Sequence, residues 1–425
     1  MLDTTSGHET LAVDYLKKVL EAEGIPTKTF AMNPNRANLV ARLKGNGSKR
    51  PLLILAHTDV VGVQREKWPV DPFGAVIKDG YVWGRGTKDD KPVLTANLIT
   101  MLLLKRSGLQ LDRDVIFLAE SGEEADPEGV GINYMIREHF DEIDAEFAMT
   151  EGGGATTDGT KVTRVNIGTA EKLPARARLV ATGTAGHGSV PRLDNALIHL
   201  SAAVEKDWPV GAAHAVERDH ERVASDCSPA SARPNAPRST RRCRIRPRWP
   251  TRRSGCANTR PASISMLRTS IVPTMLKAGV GPNVIPSEAE ATLDIRAFPG
   301  EDIDKLYAAM AKVISDPAVK IVPIPQTRPP SPASELETGM YRVMRQVAGQ
   351  IYPGATVLPS MSTGASDQAQ LRAKGIQSYG IGPASTEKDA LDYGAHGDVE
   401  RLAVSSLLPF VQYVWNVVTE VAGHK

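Results

Sequence analysis

Short apolar runs recur along the first half of this chain, and they end in acids or histidine. Leu52 to Ala56 (LLILA) ends at His57 and Asp59. Asp114 to Ala119 (DVIFLA) ends at Glu120, Glu123 and Glu124. Glu146 to Thr150 (EFAMT) ends at Glu151 and three glycines. Apolar runs this short, bounded by turn residues, predict strands buried on both faces. Between them lie segments of helical period. The capping-box pattern Ser6-x-x-Glu9 precedes Leu11, Tyr15, Leu16, Val19 and Leu20, and Gly24 and Pro26 close that helix. Val93 to Leu104, Ser334 to Gln350 and an amphipathic stretch from about Val399 to Val421 predict further helices. Asn38 to Lys44 alternates as a strand before the Gly45-Asn46-Gly47 turn, and Ser378 to Ile381 is a short strand. Strands interleaved with helices predict an α/β fold: a mixed, mainly parallel sheet flanked by helices, with one edge rich in metal-binding side chains.

From Ala175 the pattern changes. Arg176 to Thr182 and Ala289 to Arg296 alternate as two-sided strands, Asn195 to Glu205 and Asp302 to Ile314 are helical, and a glycine-rich loop surrounds His187. This predicts a small α+β domain, an antiparallel sheet with two helices on one face. Pro323 to Pro332 reads as the return linker. A chain of 425 residues is too long for one ordinary core. The expected division is a catalytic domain of residues 1–175 plus 327–425, with an inserted lid or dimerisation domain at 176–326.

One segment fits neither pattern. Asp207 to Ser265 contains no Lys, and from Cys227 onward no Asp or Glu, while arginines from Arg233 to Arg260 crowd among prolines and all three cysteines. Translation out of frame in GC-rich coding DNA gives this composition and is the reading adopted, ahead of a disordered basic insert or a nucleic-acid patch. The net charge of the whole chain is +2 and points to no special partner. No apolar run is long enough to span a membrane. Neither nucleic acid nor membrane is an expected partner. Without a basic-then-apolar leader the protein reads as cytoplasmic, or as periplasmic or secreted if the chain once began earlier.

The strand ends carry the candidate chemistry. A di-metal cage needs imidazole and carboxylate ligands around a shared group. His57 supplies an imidazole, and Asp59, two residues on, can orient it from behind. The order His57-x-Asp59, Gly84-Arg-Gly-x-x-Asp89-Asp90-Lys91, Glu123-Glu124, Glu151-Gly and Gly183-x-x-Gly-His187 resembles the M20 family of di-zinc peptidases and amidohydrolases over nearly the whole chain apart from 207–265. The resemblance implies two Zn²⁺ ions, with Co²⁺ or Mn²⁺ as substitutes. It makes Asp89 the bridging ligand, with Glu124 and His396 on one metal and His57 and Glu151 on the other. It makes Glu123 the general base for a metal-bridged water, and expects a cis peptide after Asp89. It assigns His187 to the oxyanion, Asn283 and Arg296 to the substrate carboxylate, and Gly364 to the wall of the substrate pocket. Glu151, rather than Asp, tilts the reading towards carboxypeptidases and deacylases. Glu400 is expected as a cap or ion-pair partner. Asp90 and Lys91 are split between a solvated loop and a structural role. Glu120, Asp126 and Glu128 are expected in solvent, and His8, His199, His214 and His220 match nothing.

The expected activity is hydrolysis of a peptide or N-acyl amide bond in a small peptide or N-acyl amino acid, by a homodimer if the lid is intact. The alternative is a metal-binding relic with a disrupted lid, since residues 207–265 fall inside it. Pro92 replaces the family's usual glycine after Asp-Asp-Lys and suits a first helical turn. Resequencing the gene is expected to reveal paired compensating indels near Glu205 and Ser265; an uninterrupted frame matching close relatives through this stretch contradicts that expectation.

Overall fold

The computed structural model describes residues 2–124, 129–206, 266, 268–326 and 328–424. The anomalous stretch 207–265, with its cysteines and with His214 and His220, and the acids Asp126 and Glu128 lie outside them. The described residues form two compact units, Met1–Glu171 with Ser331–Lys425, and Lys172–Pro330.

The first unit is built on the Leu52–His57 strand, buried along its whole length. It pairs in parallel with Val115–Glu120 on one side and Phe147–Thr150 on the other. Parallel pairing without offset sets His57 opposite Glu120, so the polar ends of these strands emerge at one sheet edge. Side chains alternate across the pleat. Leu52, Ile54 and Ala56, with Val115, Phe117 and Ala119, face a core shared with buried residues of the helices Thr10–Ala22, Lys91–Ser107, Gly339–Ile351 and Leu407–Ala422. Leu53, Leu55, Ile116 and Leu118 face a second core with Ile132, Met135 and Leu371. Both faces are thus covered, which is why these strands carry no polar residue before their last positions. The sheet continues outward through Asn38–Leu43 and Thr27–Phe30 on one flank, both antiparallel. On the other flank Gln377–Gly380 pairs in parallel with Phe147–Thr150, and Val162–Glu171, Gly154–Thr157, Thr356–Ser362 and Ala384–Thr386 complete a mixed sheet.

Several predicted boundaries shift, each for a local reason. The first helix is Thr10–Ala22, with no side-chain cap bond from Glu9. The Glu9 carboxylate instead takes the Gly7 N–H and the Arg36 guanidinium. Leu11 and Tyr15 are exposed, and the buried stripe is Ala12, Val13, Leu16 and Leu20. The helix expected from Ser334 begins at Gly339, where the Thr338 hydroxyl accepts from Tyr341 N. Ser334 is committed to the sheet, its N–H to Thr169 O and its hydroxyl to Ser378 O. The last helix is Leu407–Ala422, because Arg401–Ala403 is a strand on Tyr81–Trp83. Asn38–Leu43 does not alternate: its first four residues are all buried, between two neighbouring strands.

The second unit is an antiparallel sheet. Glu288–Ala297 pairs with Leu173–Pro174, Ala177–Thr182 and Ser270–Ala278, and Val319–Pro323 pairs with Ala177–Thr182. Ala177, Leu179 and Ala181 share a core with Ala291, Leu293 and Ile295 and with residues of the helices Ala196–Glu205 and Ile303–Ile314. Asn195 and Asp302 cap those helices, accepting from Leu197 N and Lys305 N. Among the described residues no helix is long and apolar enough to cross a membrane.

Removal of a ring from the filled layer between sheet and helices leaves a cavity. Phe117→Ala is expected to cost about 3–5 kcal/mol of unfolding free energy, and Tyr15→Ala, on the exposed face of the first helix, no more than about 0.5 kcal/mol. Urea titration monitored by circular dichroism checks both; equal costs would contradict the burial described.

Candidate metal centre

His57 ends the central strand and is held from two sides. Its Nδ1 lies 3.0 Å from the main-chain oxygen of Asp59 and 3.4 Å from the Asp59 carboxylate. A carbonyl only accepts, so the Nδ1 hydrogen points there, and in the neutral ring Nε2 carries the lone pair. Nε2 faces Asp89 Oδ1 at 3.0 Å. Two acceptors at that distance need a proton or a cation between them. Burial works against a charged ring at His57, but its contacts with Asp59 and Asp89 outweigh this and hold its pKa well above the ordinary histidine value.

Asp59 does more than orient His57. Its carboxylate accepts the backbone N–H groups of Gly122, at 3.1 Å, Glu123, at 3.2 Å, and Glu124, at 3.0 Å. The loop bearing the paired glutamates is therefore hung, through its main chain, on the acid behind His57. Burial would raise the Asp59 pKa, yet His57 and the backbone N–H of Glu124 keep it below the usual carboxylate value.

Asp89 ends the glycine-rich turn, and a buried acid holds that turn. Glu400 accepts the N–H groups of Gly86 at 2.9 Å, Lys88 at 2.5 Å and Asp89 at 3.4 Å, and pairs with Arg85 at 2.9 Å. Arg85 also donates to Gly397 O at 2.8 Å, next to His396. One ion pair thus joins the two segments that carry Asp89 and His396. Gly86 has φ +85°, and a Cβ there would lie 2.8 Å from Val60 Cγ1, so the position requires glycine. The Asp89–Asp90 peptide is cis. His396 has φ +61°, which a non-glycine residue adopts only where its surroundings impose it. Its Nε2 lies 2.8 Å from Glu124 Oε1 and 3.3 Å from Asp89 Oδ2. These two carboxylates push the imidazole up to about 10 and the contacts hold Asp89 far below its ordinary value against the effect of burial.

Glu151 follows the Phe147–Thr150 strand where backbones crowd. A Cβ on Gly380 would lie 2.7 Å from Glu151 O, and one on Gly153 would lie 2.2 Å from Gly380 O. The glycines after Glu151 let the two strand ends approach. Burial, then Asp89 and Glu123, raise the Glu151 carboxyl well above the usual range.

Ligand-type atoms of His57, Asp89 and Glu124 lie within 4.8 Å of one another, and so do those of His57, Glu123 and Glu151. His396 joins Asp89 and Glu124 from a third side. Buried carboxylates packed this closely cannot all ionise unless cations share them. An imidazole and carboxylate donor set fits a borderline divalent ion such as zinc. On chemistry and spacing, these residues could hold metal.

One expectation about the surrounding acids is corrected, and one left open is decided. Glu120 is not in solvent: it is the last residue of a fully buried strand, 2% exposed, and burial with Asp367 beside it raises its pKa. Asp90, split between a solvated loop and a structural role, is buried. It is 1% exposed, neither carboxylate oxygen has a hydrogen-bond partner among the described residues, and burial raises its pKa. Glu400 is an ion-pair partner as expected, though its hold on the Asp89 turn and the Arg85 link to His396 were not anticipated. The only available signal was an arginine inside a turn that glycines alone could make. Of the unmatched histidines, His8 is exposed and His199 pairs with Asp316.

Of the other candidates, Gly364 belongs to the first unit and His187, Asn283 and Arg296 to the second. Gly364 is exposed and donates its N–H to Ser362 Oγ. In the second unit His187 and Asn283 are neighbours: His187 pairs with Val284, and Gly188 N donates to Asn283 O at 2.7 Å. Arg296 Nε pairs with Asp294 at 2.9 Å.

A profile of peptidase family M20/M25/M40 matches residues 53–420. The chain belongs to this family. Its relatives include a probable carboxypeptidase S-like 2 of Dictyostelium discoideum, 27% identical over 90% of this chain and 74% of that one. The human N-fatty-acyl-amino acid synthase/hydrolase PM20D1 is 25% identical over 87% of this chain and 74% of its own. Among solved structures, an M20 family metallo-carboxypeptidase, Sso-CP2 from Sulfolobus solfataricus, superposes with a TM-score of 0.68 at 18% identity, covering 98% of this chain and 96% of that one. At that identity the superposition speaks for the fold, an α/β mixed sheet with helices and an additional antiparallel sheet. As an M20 member the protein is a hydrolase of the peptidase and amidohydrolase class.

Arg85 and Glu400 are both buried, and losing one partner strands the other. Arg85→Met is expected to cost about 3–5 kcal/mol in chemical denaturation; a loss under about 1 kcal/mol would show that the pair does not hold this turn.

Proposed function

We propose that this M20 protein hydrolyses a peptide or N-acyl amide bond next to a free carboxylate, using two divalent ions, zinc or a close substitute. The single observation that carries the reading is the placement of Glu123 and Glu124. Adjacent residues, fixed by consecutive backbone N–H groups on Asp59, send their carboxylates into two different ligand groups. Glu124 meets His396 and serves as a ligand with Asp89. His57 and Glu151 serve the second ion, and Asp89, in contact with both histidines, is the shared ligand. When bound, the ions polarise the scissile carbonyl and ease loss of a proton from water. Glu123 takes that proton as general base and returns it to the leaving nitrogen.

The second unit supplies polar groups of the required kind. Ser189 N–H donates to His187 Nδ1 at 3.1 Å, so the neutral ring keeps its hydrogen on Nε2, a donor suited to an oxyanion. Arg296 and Asn283 are proposed to hold the substrate carboxylate, for which a guanidinium offers a two-pronged fit. Gly364 is proposed to line the substrate pocket. A carboxypeptidase and an N-fatty-acyl-amino acid hydrolase among the relatives support an amide of an amino acid as substrate.

Glu123→Gln keeps the shape of the side chain and removes the base. It is expected to lower turnover of dipeptides and N-acyl amino acids by about 10²–10⁴-fold while elemental analysis still finds two ions. Full activity would refute Glu123 as base, and loss of an ion would make it a ligand instead.

A further inference from the structure

A buried polar network links Glu151 to the loop that contains Gly364. Gln368, at the start of the Gln368–Ala373 helix, donates from Nε2 to Glu151 O at 2.9 Å. Its Oε1 accepts from Arg372 Nη1 at 3.2 Å and Ser378 Oγ at 3.3 Å. These partners fix which way the amide faces, because a flipped amide would oppose donors to donors and acceptor to acceptor. Arg372 in turn pairs with Glu171 at 3.2 Å. Glu171 also accepts from the backbone N–H and the hydroxyl of Ser366, at 2.9 Å and 2.7 Å. Gln368, Arg372, Glu171, Ser366 and Ser378 are all buried. A Cβ on Gly152 would lie 2.7 Å from Gln368 Nε2, so the glycine after Glu151 leaves the space the amide occupies.

Glu151 carries its carboxylate at a strand end where backbones crowd. The one side-chain donor to its carbonyl is Gln368 among the described residues. A partner that orients a ligand's main chain narrows the directions its carboxylate can take, and such outer partners alter metal affinity. We propose that Gln368 is a positioning residue for Glu151, and that the Glu171–Arg372 pair couples Glu151 to the Ser366 loop. The inference rests on the two-metal reading above. It assigns the network an effect on one ion only, the one Glu151 serves, because the polar partners of Glu124 and His396 are Asp59, Asp89 and each other.

The test is titration of the purified full chain with Zn²⁺ against a competing chelator, beside thermal unfolding. Wild type is expected to show two sites. Gln368→Met is expected to weaken one of them by about 10–100-fold and leave the other unchanged, with a lowered Tm because the buried Arg372 and Ser378 donors lose their acceptor. Should that variant fail to fold, Gln368→Glu keeps an acceptor for Arg372 and Ser378 and sets a carboxylate oxygen in place of the donor to Glu151 O, and the same selective weakening is expected. Two unchanged sites, or two sites weakened equally, would overturn the positioning role while the two-metal reading stands. A wild type that takes up fewer than two ions would refute that reading and this inference with it.

Discussion

The Asp59 carboxylate accepts three successive backbone N–H groups while its residue holds the back of His57. The rest of the site depends on this junction. A strand can place one histidine at a sheet edge, but a metal cage needs ligands from separate strands in fixed relation. Asp59 supplies it by tying the loop after Val115–Glu120 to the end of Leu52–His57. Because the bonds are to main chain, Glu123 and Glu124 keep both side chains for other work. The carboxylate is buried, where such bonds are strong and an unpaired acid is costly. Loss of Asp59 would thus loosen an imidazole and two carboxylates together.

The same logic recurs around the cage. Glu400 gathers the N–H groups of the Asp89 turn, and Arg85 carries that hold across to the His396 segment. Gln368 grips the carbonyl of Glu151. In each case a buried side chain fixes the backbone beside a residue proposed as a ligand, and leaves that residue's own carboxylate or ring for the cage. The result is a concentration of negative charge in which Asp89 stays ionised against two imidazoles while Glu151 is driven towards its neutral form. In the two-metal reading proposed above, divalent cations let all these groups ionise together.

How much of this can be read from the residues alone differs by element. The strands at Leu52, Val115 and Phe147 are legible because a short apolar run that ends in acids suits a buried strand meeting a polar sheet edge and little else. His57, Asp89, Glu124, Glu151 and His396 are legible as motifs, and the fold brings them together. The outer partners are not. Glu400 and Arg85 are distant in sequence, as are Gln368 and Glu151, and no local pattern marks such pairs. Glu120 is misplaced by local reading because an acid following an apolar run looks like the start of a loop; here the strand runs one residue further and buries it. Thr338, not Ser334, starts its helix because Ser334 is bonded to the sheet, a tertiary choice that local spacing does not contain.

The proposed function requires one cage for two ions around Asp89. Anomalous diffraction at the zinc absorption edge, from crystals of the zinc-loaded protein, tests it most directly. Two peaks that share Asp89 are expected, one beside His57 and Glu151 and the other beside Glu124 and His396. A single peak, or zinc bound away from Asp89, would contradict the claim.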